Sequence, residues 1–232
     1  MVQDKFIAVI CGLKSEAQTV KAYVDNAKIR IGVSGANAQR AEELARDFCK
    51  AGARAIISVG VSGGLDPALR PGDLVIGEKV ITEHGAVFSS DSALMSAITT
   101  KAPEGAKIAA LFGADEIIDN AMKKAALFAN HGAAAVDMES HGAARAAAHA
   151  GAPFLAIRAI ADPADRALPA AALKAVAPDG STRVLTTLGA AMRDPRQFPD
   201  LMKLGRDSAA ATKTLRRSLG PRFASLFLSL DF

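Results

Sequence analysis

The chain has 232 residues, which is enough for one large α/β domain with a full hydrophobic core. Its net charge of +4 is modest and its basic stretches are not interleaved with aromatic residues, so we expect no nucleic-acid partner. The two cysteines, Cys11 and Cys49, form neither a disulfide framework nor a metal-binding motif, which favours a reducing cytoplasm. We expect no signal peptide, no membrane-spanning segment and no metal.

Strands and helices are predicted to alternate along the chain up to Pro169. The predicted strands are Phe6–Cys11, Lys28–Ser34, Ala55–Gly60, Asp73–Thr82, Lys107–Phe112, Ala134–Met138 and Phe154–Ile160. The predicted helices follow a turn at Gly12–Glu16 and then occupy Ala36–Lys50, Ser92–Thr99, Ile117–Asn130 and Ser140–Ala150. This alternation predicts a single α/β domain over residues 1–232, with a mixed, mostly parallel sheet flanked by helices. From about residue 169 the pattern is helical only.

A glycine-rich segment, Gly60–Gly64, follows the third predicted strand. A dinucleotide-binding loop needs a helix directly after its glycines, whereas Leu65–Asp73 leads into another strand. We therefore expect a loop whose glycines let backbone N–H groups approach a small ligand closely. A tight turn without a ligand is the structural alternative.

Three carboxylic acids stand where a strand ends or a helix begins. Asp162 follows a buried apolar strand, where desolvation would raise its pKa and let it donate a proton near neutral pH. Glu139 and Glu16 fall in the first turns of predicted helices. The structural alternative for all three is a cap or a favourable charge at a helix N-terminus.

The four histidines have no metal-ligand spacing. His141, Arg145 and His149 are four residues apart, which is typical of a solvated helix face. Near the C-terminus, Leu215, Leu219, Phe223 and Leu226 recur at helical spacing beside basic residues. This pattern suits either a helix that packs on the protein's own core or peripheral contact with an anionic membrane.

Five segments in chain order resemble the purine nucleoside phosphorylase / methylthioadenosine nucleosidase superfamily. They are Gly12–Glu16, Val59–Leu65, Pro71–Val75, Val136–Glu139 and Arg158–Asp162, and the resemblance covers roughly residues 5–165. Within the superfamily, Asp137–His141 and Ile157–Asp165 are most similar to phosphorylase-type proteins associated with hopanoid biosynthesis. That group is thought to remove adenine from adenosylhopane.

The resemblance implies N-glycosidic cleavage of an adenine nucleoside without a cofactor, with phosphate or water as the co-substrate. Asp162 would give a proton or a hydrogen bond to N7 of adenine, and Glu16 would orient or deprotonate an attacking water. Glu139 would accept hydrogen bonds from the ribose hydroxyls, and Met138 would pack against the ribose. The nucleophile side would be lined by Gly60, Ser62, Gly63 and Gly64.

Departures from the family pattern favour water over phosphate. Ser58 and Val61 stand where phosphorolytic relatives commonly carry an Arg and a Ser that bind phosphate, although Ser62 offers a substitute. Ala161 replaces the Ser that often precedes the catalytic Asp. No Phe between Gly113 and Ile118 matches the one that stacks on the base in nucleosidases.

The predicted substrate is adenosylhopane. The alternatives are a methylthioadenosine/adenosylhomocysteine nucleosidase, a purine nucleoside phosphorylase, and a non-catalytic nucleoside-binding or membrane-peripheral protein. Family relatives imply a homo-oligomer. The segment between Thr82 and Lys107 is shorter than its nucleosidase counterpart, which predicts an open apolar exit at the 5′ side of the sugar. Apolar residues available there are Val87, Phe88, Leu94 and Met95.

Overall fold

The protein is described from a computed structural model over residues 5–22, 28–100, 105–173, 176–182 and 195–218. The strands are β1 Phe6–Cys11, β2 Ile29–Val33, β3 Ala53–Gly64, β4 Leu74–Thr82, β5 Val87–Ser89, β6 Lys107–Gly113, β7 Ala135–Asp137 and β8 Phe154–Asp162. The helices are α1 Lys14–Lys21, α2 Ala38–Lys50, α3 Ser92–Thr99, α4 Ala121–His131, α5 Ser140–Ala150 and α6 Phe198–Ser218. Two short 3-10 helices occupy Ala170–Ala172 and Pro195–Gln197.

The sheet is mixed and mostly parallel, which confirms the predicted fold class. β1 pairs in parallel with β2 and β3, β3 with β8, β4 with β6, and β6 with β7. The β3–β7, β4–β5 and β4–β8 pairs are antiparallel. Strands buried on both faces read as continuous apolar runs, and β1 and β8 have that pattern.

Five strands close into a ring, in the order β3, β8, β4, β6 and β7, because β7 pairs back with β3. At the closure, Gly63 of β3 lies opposite Val136 of β7 and Asp162 of β8. The last residues of β7 and β8, Asp137 and Asp162, are therefore held beside the same short stretch of β3.

Helices cover both faces of the sheet. α2 and α5 pack together over an apolar core that includes Phe6 and Phe154. α1, α3 and α6 lie on the other face, where Ile157 and Leu215 belong to the core. α4 lies beside β6 and β7, where Leu127 and Phe128 pack against a third apolar cluster. The two helical layers leave the carboxyl ends of β3, β7 and β8 as the edge where a ligand can enter.

Two predicted boundaries shift by four residues, and one strand was not predicted. The glycine-rich segment continues β3 to Gly64 because β7 and β8 supply hydrogen-bonding partners on both sides. α4 begins at Ala121 rather than Ile117, since the Asn120 side chain accepts a hydrogen bond from the Lys123 N–H and caps it. The three-residue strand β5 is too short to leave a periodic signal.

The C-terminal part is not purely helical, since an isolated bridge joins Val176 to Thr182. Within α6, Leu215 is buried in the core, as the core-packing alternative predicts and as a membrane-facing position would not be. Leu219, Phe223 and Leu226 lie outside the described residues. Across the described ranges no helix is both long and apolar enough to cross a membrane.

Candidate active site

A cavity of about 260 Å³ opens at the carboxyl ends of β3, β7 and β8. Its size is just under the ~300–1,000 Å³ of typical small-molecule sites. Its lining is mostly apolar but includes the carboxyl-bearing residues Glu16, Glu116, Asp137, Glu139 and Asp162. Among the described residues that line it, none is a Lys or an Arg, so these residues offer an anionic ligand no side-chain cation.

Arg158, in the middle of β8, is the cation of a first group of polar side chains. Its Nη2 lies 2.7 Å from Ser58 Oγ, 2.9 Å from Ser140 Oγ and 3.1 Å from Asp137 Oδ1. Glu139 Oε2 lies 3.5 Å from the same nitrogen. We call Arg158, Ser58, Asp137, Glu139, Ser140 and the neighbouring Glu16 the Arg158 cluster.

Asp137 caps the N-terminus of α5, so the Glu139 side chain is not needed as a cap. Asp137 Oδ1 accepts hydrogen bonds from the backbone N–H groups of Glu139 (2.8 Å) and Ser140 (2.7 Å). Burial alone would raise the pKa of Asp137, but Arg158 and these hydrogen bonds lower it to about 2. Glu139 is the N-cap residue of α5, yet its side chain makes no capping hydrogen bond. Glu139 thus lies at the N-terminus of α5, where the structural alternative also puts it, and it lines the cavity.

Glu139 lies directly against the backbone of Gly12. A Cβ at Gly12 would be 2.4 Å from Glu139 Oε1, so only glycine leaves room for the carboxyl group. Burial raises the pKa of Glu139 to about 8, with Asp137 and Glu16 adding to the effect and Arg158 opposing it. A carboxyl group that holds its proton near neutral pH can both donate and accept hydrogen bonds.

Glu16 is held by two backbone N–H groups. Its Oε2 accepts from Leu13 and its Oε1 from Val61, both at 2.8 Å. A Cβ at Gly60 would be 2.9 Å from Glu16 Oε1, so Gly60 lets this side chain lie on β3. Burial raises the pKa of Glu16 despite these hydrogen bonds. A fixed carboxylate with a raised pKa suits a general base.

Asp162 belongs to a second, separate polar group. Its Oδ2 is hydrogen-bonded to the fully buried ammonium of Lys124, on α4. Arg166 follows in the same turn and pairs with Asp207 of α6. Burial raises the pKa of Asp162, while Lys124 and Arg166 oppose the increase and Asp207 adds to it. We call Asp162, Lys124, Arg166 and Asp207 the Lys124 cluster.

The remaining wall of the cavity is apolar. The segment that follows β8 contributes Leu168, Ala172, Val176 and Leu204. At the opposite side, between β6 and α4, Ile117 and Ile118 face the cavity, and no aromatic side chain joins the lining among the described residues. A flat ligand would therefore rest on aliphatic and methionine surface.

Comparison with known proteins places this arrangement in a family. The model of the Phosphorylase superfamily matches residues 18–192. The chain belongs to the phosphorylase superfamily.

Solved structures of nucleosidases share its fold. A 5′-methylthioadenosine/S-adenosylhomocysteine nucleosidase from Helicobacter pylori, solved with butyl-thio-DADMe-Immucillin-A, is 15% identical with a TM-score of 0.68 over 94% of this chain and 99% of that one. The corresponding nucleosidase from Neisseria meningitidis, in complex with methylthio-immucillin-A, is 17% identical with a TM-score of 0.67 over 95% and 99%. The futalosine hydrolase of Helicobacter pylori is 18% identical with a TM-score of 0.62 over 70% and 88%.

Most of the site residues expected from the superfamily resemblance meet at one cavity. Its lining includes Glu16, Ser62, Gly63, Met138, Glu139 and Asp162. Gly60 and Gly64 do not line it, because they lie within β3 under other groups. Glu16 covers Gly60, and a Cβ at Gly64 would be 3.2 Å from the Asp162 carbonyl oxygen. The segment is a strand rather than the predicted loop, and the individual roles of these residues stay predictions.

Sequence reasoning missed both buried cations of this superfamily member. Arg158 is the one charged residue of β8 before Asp162, and a charge inside an apolar strand is itself a signal of a buried ion pair. Lys124 follows Lys123 in a helix, and nothing local distinguishes the buried lysine from the exposed one.

His141 corrects the prediction of a solvated face on α5. Its side chain is buried, and its Nε2 lies 3.0 Å from Asp115 Oδ1. This contact fixes the start of the segment that places Glu116, Ile117 and Ile118 in the cavity. His149, two turns further along, is exposed as predicted.

The described residues between Thr82 and Lys107 do not line the cavity. Val87 and Phe88 line a different depression, against α5, and Leu94 is buried in the core. The wall that closes the cavity comes instead from the residues after β8. The open 5′ exit predicted from the short Thr82–Lys107 connection stays a prediction.

Proposed function

We propose that this protein hydrolyses the N-glycosidic bond of an adenine nucleoside. The observation that carries the proposal is that one small cavity is lined by carboxyl groups from two electrostatically separate clusters. Burial raises the pKa of all three carboxyl groups. The charges that also act on the pKa of Asp162 are those of Lys124, Arg166 and Asp207, whereas Arg158 acts on the pKa values of Glu16 and Glu139. Glycosidic cleavage needs such a division, with an acid at the leaving group and polar groups at the sugar and the nucleophile.

In the proposed reaction Asp162 gives its proton to N7 of adenine. The N9–C1′ bond breaks, and its electron pair stays with the base. Water forms the new bond to C1′, and its proton passes to the Glu16 carboxylate. Glu139 hydrogen-bonds the ribose hydroxyls as positive charge develops on the sugar. Each step uses a carboxyl group whose pKa burial raises towards neutrality.

Two contacts support water rather than phosphate as the nucleophile. The Val61 N–H, which would point towards an anion in a phosphate-binding loop, donates to Glu16 instead. Arg158 is already paired with Asp137 and Glu139. A phosphate dianion in this cavity would meet several carboxyl groups and no free cation among the described lining residues. The Ser62 hydroxyl, which is buried without a protein partner in the described structure, is available to the nucleophile or the sugar.

For the 5′ group we propose a large hydrocarbon substituent, with adenosylhopane as the substrate. The apolar wall of Leu168, Ala172, Val176 and Leu204 supports an apolar group next to the sugar. The second candidate is 5′-methylthioadenosine, and the cavity volume of about 260 Å³ favours it because a small 5′ group fits inside. A homo-oligomer and a peripheral membrane contact stay predictions.

Release of adenine from a panel of nucleosides tests the proposal. The panel contains adenosine, 5′-methylthioadenosine and an adenosine with a long 5′-alkyl chain, each assayed without phosphate. We expect adenine from at least one of them and the highest kcat/KM with the alkyl compound. A higher kcat/KM for 5′-methylthioadenosine would select the second candidate, and no adenine from any nucleoside would contradict the proposal itself.

A further inference from the structure

Lys124 is a fully buried lysine whose hydrogen-bonding capacity is completely used. Its Nζ donates to Asp162 Oδ2, to the Pro163 carbonyl oxygen at 2.9 Å and to the Arg166 carbonyl oxygen at 3.0 Å. An ammonium has three N–H donors, so none is left for a ligand. Burying a charged ammonium is unfavourable unless it is paired in this way. A residue that serves packing alone would not need a charge here.

All three acceptors of Lys124 lie in one turn, residues 162–166, directly after β8. The ammonium therefore fixes the carboxyl group and the backbone that carries it at the same time. The opposite side of the turn is tied to α6 through the Arg166–Asp207 ion pair, and α6 contributes Leu204 and Ser208 to the cavity. Lys124 is not among the residues that line the cavity, so its effect on the reaction passes through Asp162 and the turn that carries it.

The charge of Lys124 has two opposite effects on a proton donor. Stabilising the carboxylate makes Asp162 a stronger acid, because the product of proton donation is paired at once. The same stabilisation favours loss of the proton to solvent at lower pH. The other charged groups that act on Asp162 are Arg166, which works in the same direction as Lys124, and Asp207, which works against it.

We propose that Lys124 is a positioning residue that holds the Asp162 carboxyl group against the leaving base and limits the pH range over which Asp162 acts as an acid. The inference rests on the proposed function, in which Asp162 protonates adenine. During the step, the proton moves from Asp162 to N7 and the electron pair of the N9–C1′ bond moves to the base. The Asp162 carboxylate that remains is neutralised by the Lys124 ammonium.

The test is the pH profile of kcat/KM for adenine release by Lys124→Met and Lys124→Arg. In the Met variant we expect part of the ~10²–10⁴-fold contribution of general acid catalysis to disappear at low pH. We also expect its alkaline limb to move to higher pH, since the group that favours ionisation of Asp162 is gone. The Arg variant keeps the charge and should keep the wild-type limb. Lys123→Met, which removes an exposed lysine next to it, is the matched control and should match the wild type.

A substrate that needs no acid separates this role from a structural one. A 4-nitrophenyl riboside releases a phenolate without protonation, so Lys124→Met should cleave it at the wild-type rate. An alkaline limb unchanged in the Met variant, or equal losses on both substrates, would overturn the inference. If the Met variant does not fold, Lys124→Gln takes its place in both measurements, the pH profile and the comparison of substrates. The Gln amide still donates to the turn but carries no charge. Wild-type protein that releases no adenine would contradict the proposed function instead, which keeps the two failures distinct.

Discussion

The Arg158 cluster and the Lys124 cluster differ in how many carboxyl groups share one buried cation. In the Arg158 cluster one guanidinium is shared between Asp137 and Glu139, and Asp137 takes most of it at 3.1 Å against 3.5 Å. Asp137 therefore stays ionised, whereas the pKa of Glu139 rises. In the Lys124 cluster one ammonium serves one carboxyl group, Asp162. In each cluster burial therefore raises the pKa of at least one carboxyl group, which are Glu16 and Glu139 in the first and Asp162 in the second.

The two clusters also differ in the contacts that hold their carboxyl groups in place. Glu16 lies against Gly60 of β3, and Glu139 lies against Gly12, which directly follows β1; a Cβ at either glycine would come within 3.0 Å of a carboxyl oxygen. Asp162 is fixed from a helix, through Lys124 and the turn that follows β8. In the proposed function, the carboxyl groups assigned to the sugar and the nucleophile are therefore held by close packing on glycine backbone, and the one assigned to the base is held by a buried ion pair.

The largest expected effect is that of Asp162→Asn. Turnover should fall by ~10²–10⁴-fold, since Asn cannot pass a proton to the leaving base. Stability should also fall by roughly 3–5 kcal/mol, because the buried Lys124 loses its counter-charge. Steady-state kinetics and urea unfolding measure the two effects.

Adding Lys124→Gln to Asp162→Asn should recover stability but not activity, which separates charge burial from catalysis. Asp165→Asn, at an exposed position in the same turn, is the control and should leave both quantities unchanged. Wild-type kcat in the Asp162→Asn variant would remove Asp162 from the reaction.

Glu139 should distinguish ribosides from deoxyribosides. Without the 2′-hydroxyl the buried Glu139 loses its partner, which should cost about 1–3 kcal/mol in kcat/KM. In Glu139→Gln the preference for the riboside should shrink, while the exposed Glu43→Gln leaves it unchanged. Equal kcat/KM of the wild type on adenosine and 2′-deoxyadenosine would exclude Glu139 from sugar binding.

Gly60→Ala tests whether close packing positions Glu16. The new methyl group would come within 2.9–3.1 Å of the Glu16 carboxyl atoms, so overpacking should lower the free energy of unfolding by about 1–3 kcal/mol. The pH profile should change at its acid limb, where Glu16 acts as the base. Gly205→Ala, on α6 with open space around it, should instead stabilise the protein by ~0.5–1 kcal/mol. A neutral Gly60→Ala variant would show that Glu16 is free to move.

The smallest effect is expected at the apolar wall. Leu204→Ala should lower kcat/KM for a 5′-alkyl adenosine by about 1 kcal/mol relative to adenosine, as for lost contacts in a hydrophobic pocket. Met202→Ala, at an exposed position on the same helix, should not change that ratio. If both substrates respond equally to Leu204→Ala, the wall does not contact the 5′ group.

Local sequence patterns were enough to predict the positions of the acids but not their partners. Asp162 ends a strand whose apolar composition is visible in the sequence, and Glu16 and Glu139 lie at helix starts, whereas the pairing of Asp137 with Arg158 was not predicted. Arg158 and Lys124 meet those acids through contacts over 19 or more residues, which no local pattern encodes. The same holds for Gly60–Gly64, which looks like a loop until β7 and β8 are known to pair with it.

The source of the oxygen that joins C1′ tests the central claim most directly. The reaction is run on the preferred nucleoside in ¹⁸O-labelled water, with and without phosphate, and the ribosyl product is analysed by mass spectrometry. The account predicts free sugar carrying one ¹⁸O at C1′ in both conditions, at equal rates. Formation of unlabelled sugar 1-phosphate that depends on added phosphate would contradict hydrolysis and establish phosphorolysis in its place.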